Sequence, residues 1–210
     1  MTYDPMMCRA CGLERATRET PDGRSICDAC WLKGKQIKSG IRDRYRIASI
    51  DHFPDKAKDV LSSMVEMSGY IWGKYGVGKT YALCATASLR IQKLERAVRL
   101  LTWGDLVRAW RSCFKSKGKT EEEFFEELAK EKALYVDDVG DLLGEDSKGV
   151  KVLFCDLIDR RYSEGTLTVV TSNLSLAEIS DAFSPKAADR IRESYAVVCF
   201  SGVNRRTEGD

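Results

Sequence analysis

Ser68-Gly69-Tyr70-Ile71-Trp72-Gly73-Lys74-Tyr75-Gly76-Val77-Gly78-Lys79-Thr80 is the stretch on which the fold turns. Its first five residues read as a short apolar strand. The glycines that follow let backbone N–H groups turn inward, and Lys79 opens a helical pattern running to about Leu94. Gly73 to Thr80 fits G-x-x-x-x-G-K-[ST] between a strand and a helix, the setting in which that pattern carries meaning. Inward N–H groups wrap a phosphate, and the helix N-terminus adds favourable partial charge. Lys79 would reach β- and γ-phosphates, and the Thr80 hydroxyl would hold Mg²⁺. The expected nucleotide-binding set is Gly73, Lys74, Tyr75, Gly76, Val77, Gly78, Lys79, Thr80 and Tyr81. The competing reading is a glycine turn with a chance GKT, and the flanking elements weigh against it.

Working outward, short apolar runs at 97–101, 133–136, 167–171 and 196–200 alternate with helical patterns at 104–114, 120–132 and 148–162. Strands separated by helices predict an α/β fold with a mostly parallel sheet and right-handed crossovers. The run 133–136 ends in Asp137-Asp138. A phosphate-loop enzyme needs an acid at the end of a neighbouring strand to hold Mg²⁺, and Asp137 fits. Asp138 takes the next place, where a carboxylate can polarise attacking water, one methylene short of a Glu. Val169-Val170-Thr171-Ser172-Asn173 is another strand with a polar end, and Asn173 could orient water near a γ-phosphate; Ser-Asn is also ordinary turn chemistry. Arg190, in Ala188-Asp189-Arg190-Ile191-Arg192, could enter a neighbour's site or could be a surface arginine.

Taken together, Gly73–Thr80, Val136-Asp137-Asp138-Val139-Gly140, Arg161-Tyr162, Thr171-Ser172-Asn173-Leu174-Ser175 and Asp189-Arg190-Ile191 resemble the AAA+ ATPases. More narrowly they resemble the DnaC/DnaI helicase-loader and IstB transposition-ATPase branch. Tyr45-Arg46-Ile47-Ala48-Ser49-Ile50 is similar to the segment that opens that branch's core, and the resemblance spans roughly residues 45–203. It implies a P-loop sheet flanked by helices, without a helical lid. It also implies Mg²⁺ on Asp137, a catalytic acid at Asp138, a sensor at Asn173 and an arginine finger acting in trans at Arg190.

Eight cysteines and one histidine, His52, leave little room for histidine chemistry. Cys84, Cys113, Cys155 and Cys199 stand singly among apolar residues, as buried thiols do. Cys8, Cys11, Cys27 and Cys30 form two CxxC pairs spaced C-x2-C-x15-C-x2-C. Two such knuckles give an S₄ set suited to Zn²⁺, with an iron–sulfur cluster, a redox pair or disulfides as alternatives. A ~30-residue segment has no core of its own, so the metal would supply its folding energy. The expected division is a zinc ribbon over 1–32, a basic linker over 33–48, an ATPase core over 49–203 and a frayed tail over 204–210.

Lys+Arg total 34 and Asp+Glu 32, a formal net charge of +2. Locally, residues 90–119 carry nine Lys/Arg against two acids, with Trp103, Trp110 and Phe114 interleaved. Arg108, Arg111, Lys115, Lys117 and Lys119 are candidates for following a phosphate backbone. The alternative is an amphipathic helix whose tryptophans face the core. No membrane-spanning run and no secretory leader pattern occur, which points to the cytoplasm. The resulting expectation is a helicase loader that binds ATP, Mg²⁺ and Zn²⁺, assembles head to tail, contacts single-stranded DNA and delivers a DnaB-type replicative helicase. Its rivals are an IstB-like ATPase coating duplex DNA to recruit a transposase, and a non-catalytic adaptor.

Overall fold

The computed structural model describes residues 6–114, 118–140 and 147–202; the expected DNA contacts Lys115 and Lys117 and the tail at 204–210 lie outside them. Strands β1 (Arg18–Glu19) and β2 (Ser25–Ile26) form a small antiparallel ribbon. Helix α1 (Asp28–Lys38), two 3₁₀ turns and α2 (Asp55–Ser63) lead to the main sheet. That sheet comprises β3 (Ser68–Gly73), β4 (Arg99–Thr102), β5 (Ala133–Val139), β6 (Leu167–Ser172) and β7 (Tyr195–Phe200). Between them run α3 (Lys79–Leu94), α4 (Trp103–Ser112), α5 (Glu121–Lys130), α6 (Ser147–Ser163), α7 (Leu176–Ala182) and α8 (Pro185–Ser194).

All five strands pair in parallel, in the order β4-β5-β6-β3-β7. Parallel strands need crossovers, and the crossover helices cover both faces. The alternation within β5 makes this concrete. Leu134 and Val136 enter the core beneath α4, α5, α6 and α8, whereas Ala133 and Tyr135 enter the core beneath α2 and α3. The fold class read from the sequence holds. Two helix starts are fixed by reciprocal capping boxes, Thr120 with Glu123 and Ser175 with Glu178.

The segment expected as a linker over 33–48 is instead packed. A boundary at residue 32 falls inside α1, and Gln36, Ile41 and Ala48 are buried. The Gln36 amide donates to Ser88 on α3 at 2.9 Å and to the Arg46 carbonyl at 3.0 Å. Six basic residues masked the four buried ones, Ser39 among them, in a reading by composition. The Leu100 N–H on the edge strand β4 donates to the Ser39 carbonyl at 2.8 Å. A Cβ on Gly40 would stand 2.5 Å from the Leu100 carbonyl oxygen, so that close approach needs glycine.

Candidate functional site

The site lies where β3, β5 and β6 end, the edge at which open parallel sheets bind ligands. Gly73 closes β3 at φ +148°, and a Cβ there would meet the Phe200 carbonyl oxygen at 2.1 Å. Gly76 and Gly78 take φ +78° and +100°, conformations open to glycine, and the chain turns directly into α3. Lys79 is only 5% exposed. Its Nζ donates to the carbonyls of Gly73 and Lys74, both at 2.9 Å, and to Asn173 Oδ1 at 2.6 Å. The ammonium is therefore drawn inside the loop, beside the residue expected at the end of β6.

Next to it, Thr80 Oγ1 donates to Asp137 Oδ1 at 3.1 Å, and Thr171 Oγ1 donates to the same oxygen at 2.6 Å. Burial pushes the Asp137 carboxyl above its ordinary range, against the opposing pull of those two hydroxyls. A buried carboxylate beside a hydroxyl and an ammonium is a donor set that fits Mg²⁺ carrying nucleotide phosphates. Such an ion would bring positive charge directly against Asp137, adding to the pull of Arg42 and Lys79.

Asp138 is held differently. Val136 pairs with Val170 and Val139 with Ser172, so β5 carries one residue more than β6 between those points. The resulting bulge falls on Asp137-Asp138, and Asp138 takes φ +60°, rare for a residue with a side chain. Its N–H donates to Thr171 Oγ1 at 2.9 Å. Thr171 thus ties the two acids together, a role the sequence reading passed over for Asn173. Its position in the polar end Thr171-Ser172-Asn173 was the available signal, but a bulge leaves no periodicity to read.

Arg190 is not brought to this cluster. It lies on α8, ion-paired through Nη1 with Asp159 on α6, its guanidinium carbon 5.0 Å from the Tyr162 ring centroid. Tyr75 is exposed, and Lys79 Nζ lies 5.7 Å from its ring centroid. Tyr81 contacts His52 Nδ1 at 2.5 Å.

The four N-terminal cysteines converge. Their Sγ atoms all lie within 4.8 Å of one another, and Cys11 and Cys27 are 3.9 Å apart. A tetrahedron with Zn–S of about 2.3 Å has edges of roughly 3.8 Å, so the set fits zinc. The Ala10 N–H points at Cys8 Sγ from 3.4 Å, as a knuckle supporting a thiolate does. Arg18 on β1 joins this module to the core, pairing with Asp28 and, at 2.6 Å, with Glu95 at the end of α3.

The basic strip divides. Trp103 and Trp110 are buried, with Trp110 Nε1 donating to Glu121 at 2.9 Å, so the tryptophans belong to the core and not to a stacking platform. Phe114 is exposed. Arg108 pairs with Asp105, and Lys119 with Glu127, both at the surface.

A five-stranded parallel sheet in this order, with a phosphate loop after β3 and paired acids on β5, defines an AAA+ type ATP-binding fold. The family described as IstB-like ATP binding protein matches residues 65–192, and the chain belongs to that family. The chain is 24% identical over 170 residues to the replicative helicase loader DnaC of Escherichia coli (strain K12), covering 74% of this chain and 67% of that protein. It is 27% identical over 190 residues to the DnaC loader of Buchnera aphidicola subsp. Baizongia pistaciae, covering 81% and 76%. Among solved structures, a DnaC helicase loader superimposes with TM-score 0.66 at 20% identity, covering 76% of this chain and all of that one. DnaI superimposes with TM-score 0.61 at 22% identity, covering 79% and 94%. Among the described residues no helix is long and apolar enough to cross a membrane.

Proposed function

We propose that this protein is an ATP-dependent loader of a DnaB-type replicative helicase. The observation that carries the ATP-dependent part is the cluster at the strand ends: Lys79 drawn between loop carbonyls and Asn173, with Thr80 and Thr171 on Asp137. In this reading the loop and Lys79 hold the phosphates, Thr80 and Asp137 hold Mg²⁺, and Asp138 polarises water under the eye of Asn173. Arg190 stands away from its own chain's cluster, which supports its acting on the ATP of a neighbour in a head-to-tail assembly. The likeness to DnaC proteins supports the choice of partner. Zn²⁺ on Cys8, Cys11, Cys27 and Cys30 would fold the N-terminal module as a partner-binding piece, and the exposed Arg108 with the half-buried Arg111 and Lys119 would touch single-stranded DNA.

The description of the matching family favours a second reading, an IstB-like ATPase that coats duplex DNA and recruits a transposase. The deciding experiment mixes the protein with replicative helicase, ATP, Mg²⁺ and a single-stranded DNA coated with its binding protein. Transfer of active helicase to the DNA, dependent on ATP, is the expected result. Absence of any helicase complex, with ATP-dependent filaments on duplex DNA instead, overturns the loader reading.

A further inference from the structure

We propose that Asp159 is a positioning residue for Arg190, fixing the guanidinium in the one orientation in which it can be offered to a neighbouring chain. The inference rests on the reading of Arg190 as a trans-acting arginine.

Asp159 is the only carboxylate that the structure pairs with Arg190 among the described residues, and it does two jobs. One oxygen takes Arg190 Nη1, and the other accepts from Lys186 Nζ at 2.7 Å. Lys186 and Arg190 lie one turn apart on α8, so a single side chain on α6 holds both. The two cations take different oxygens of the carboxylate, so the contact to Arg190 does not depend on Lys186.

The surroundings explain why steadying is needed. Arg190 borders a cleft of about 510 Å³ between α5, α6 and α8, whose lining includes the carboxylates Glu122, Glu126 and Glu164. A loose guanidinium on a flexible stem would have several acceptors to choose from. Two of them are already taken: Arg160 grips Glu122 with two bonds of 2.6 and 2.8 Å, and Lys130 holds Glu126 at 2.9 Å. Tyr162, whose hydroxyl meets Glu193 Oε2 at 3.2 Å, places its ring against the guanidinium from another side. With its side chain 19% exposed and its buried Nη1 ion-paired with Asp159, Arg190 has little freedom to swing. A planar fork that must meet a phosphate in a fixed geometry loses rate when its outer support is removed.

The test uses complementation of DNA-stimulated ATP hydrolysis. Asp138→Asn disables a chain's own pocket, whereas Arg190→Ala disables what it lends. If Arg190 acts in trans, these two inactive variants regain activity when mixed. Asp159→Asn is expected to keep its KM for ATP and its melting temperature, and to lose about 10–100-fold in kcat, the range seen when the outer partner of a liganding group is removed. It should then sort with Arg190→Ala, recovering activity with Asp138→Asn and none with Arg190→Ala. Lys186→Ala, which removes the other cation from Asp159, should keep near-normal kcat. Asp159→Asn with unchanged kcat overturns the proposal, as does its failure to recover with Asp138→Asn where Arg190→Ala does recover. Equal loss in Lys186→Ala also overturns it, because Asp159 would then merely dock α8. If Arg190→Ala and Asp138→Asn themselves fail to complement, the trans reading of Arg190 falls and takes this proposal with it.

Discussion

Lys79 and Thr171 set the chemistry at the scale of single residues. Lys79→Ala removes an ammonium that bonds two carbonyls and Asn173, while its neighbours remain packed by the glycine turn. Charged hydrogen bonds are worth about 1.5–3 kcal/mol, so nucleotide affinity should fall at least tenfold in a fluorescent-nucleotide titration, with an unchanged circular dichroism spectrum. Unaltered affinity would remove the phosphate-loop reading. Thr171→Val keeps the shape but strips one bond from Asp137 and leaves the Asp138 N–H without its acceptor. The expected outcome is a loss of about 1–3 kcal/mol in stability and a higher Mg²⁺ requirement for hydrolysis, both restored by Thr171→Ser. Lys79 and Thr80 were visible in the sequence because they close the glycine motif, and Asp137 and Asn173 because each follows an apolar run. Thr171 was hidden because its role depends on a bulge in the partner strand.

Among the elements, α4 shows where composition misleads. Basic residues and tryptophans share one stretch, but helical spacing sends them to different faces: Leu106, Val107 and Trp110 join Trp103 in the core, and Arg108 faces solvent. Two substitutions separate the roles. Trp103→Ala should cost about 3–5 kcal/mol, read as a lower denaturant midpoint. Arg108→Ala should leave that midpoint nearly unchanged, as surface ion pairs contribute little, while weakening single-stranded DNA binding in a salt-dependent manner. A DNA affinity indifferent to Arg108 and salt would remove this helix from the contact surface. Strand and helix identities were legible throughout the sheet because both faces are covered, which makes the strands plain apolar runs. The packing of residues 33–48 was not legible, since a few buried positions decide it and the surrounding charges dominate the composition.

For the molecule as a whole, the four-cysteine module and the ATP-binding core are joined through α1 and the Arg18–Glu95 pair. Four thiolates at this spacing should bind one zinc per chain, measured by elemental analysis of protein purified without added metal. Iron with visible absorption, or intramodule disulfides in a mass spectrum, would overturn that. Chelation should release residues 6–26 to proteolysis while β3 to β7 stay protected, because their two cores are built from residues downstream of the cysteines.

The contact of Ser39 and Gly40 with Leu100 has a further consequence for how copies of this chain can meet. A parallel sheet has two open borders, and the β4 border is already occupied by its own chain at Leu100. Of the two borders of this five-stranded sheet, β7 is the one left to which a foreign strand could add. Growth by strand addition is therefore one-sided: two chains could pair border to border and stop, but a third would find no vacancy. An endless cross-β ribbon needs two free borders per unit, and a two-residue backbone contact ahead of the ATPase sheet denies it one of them.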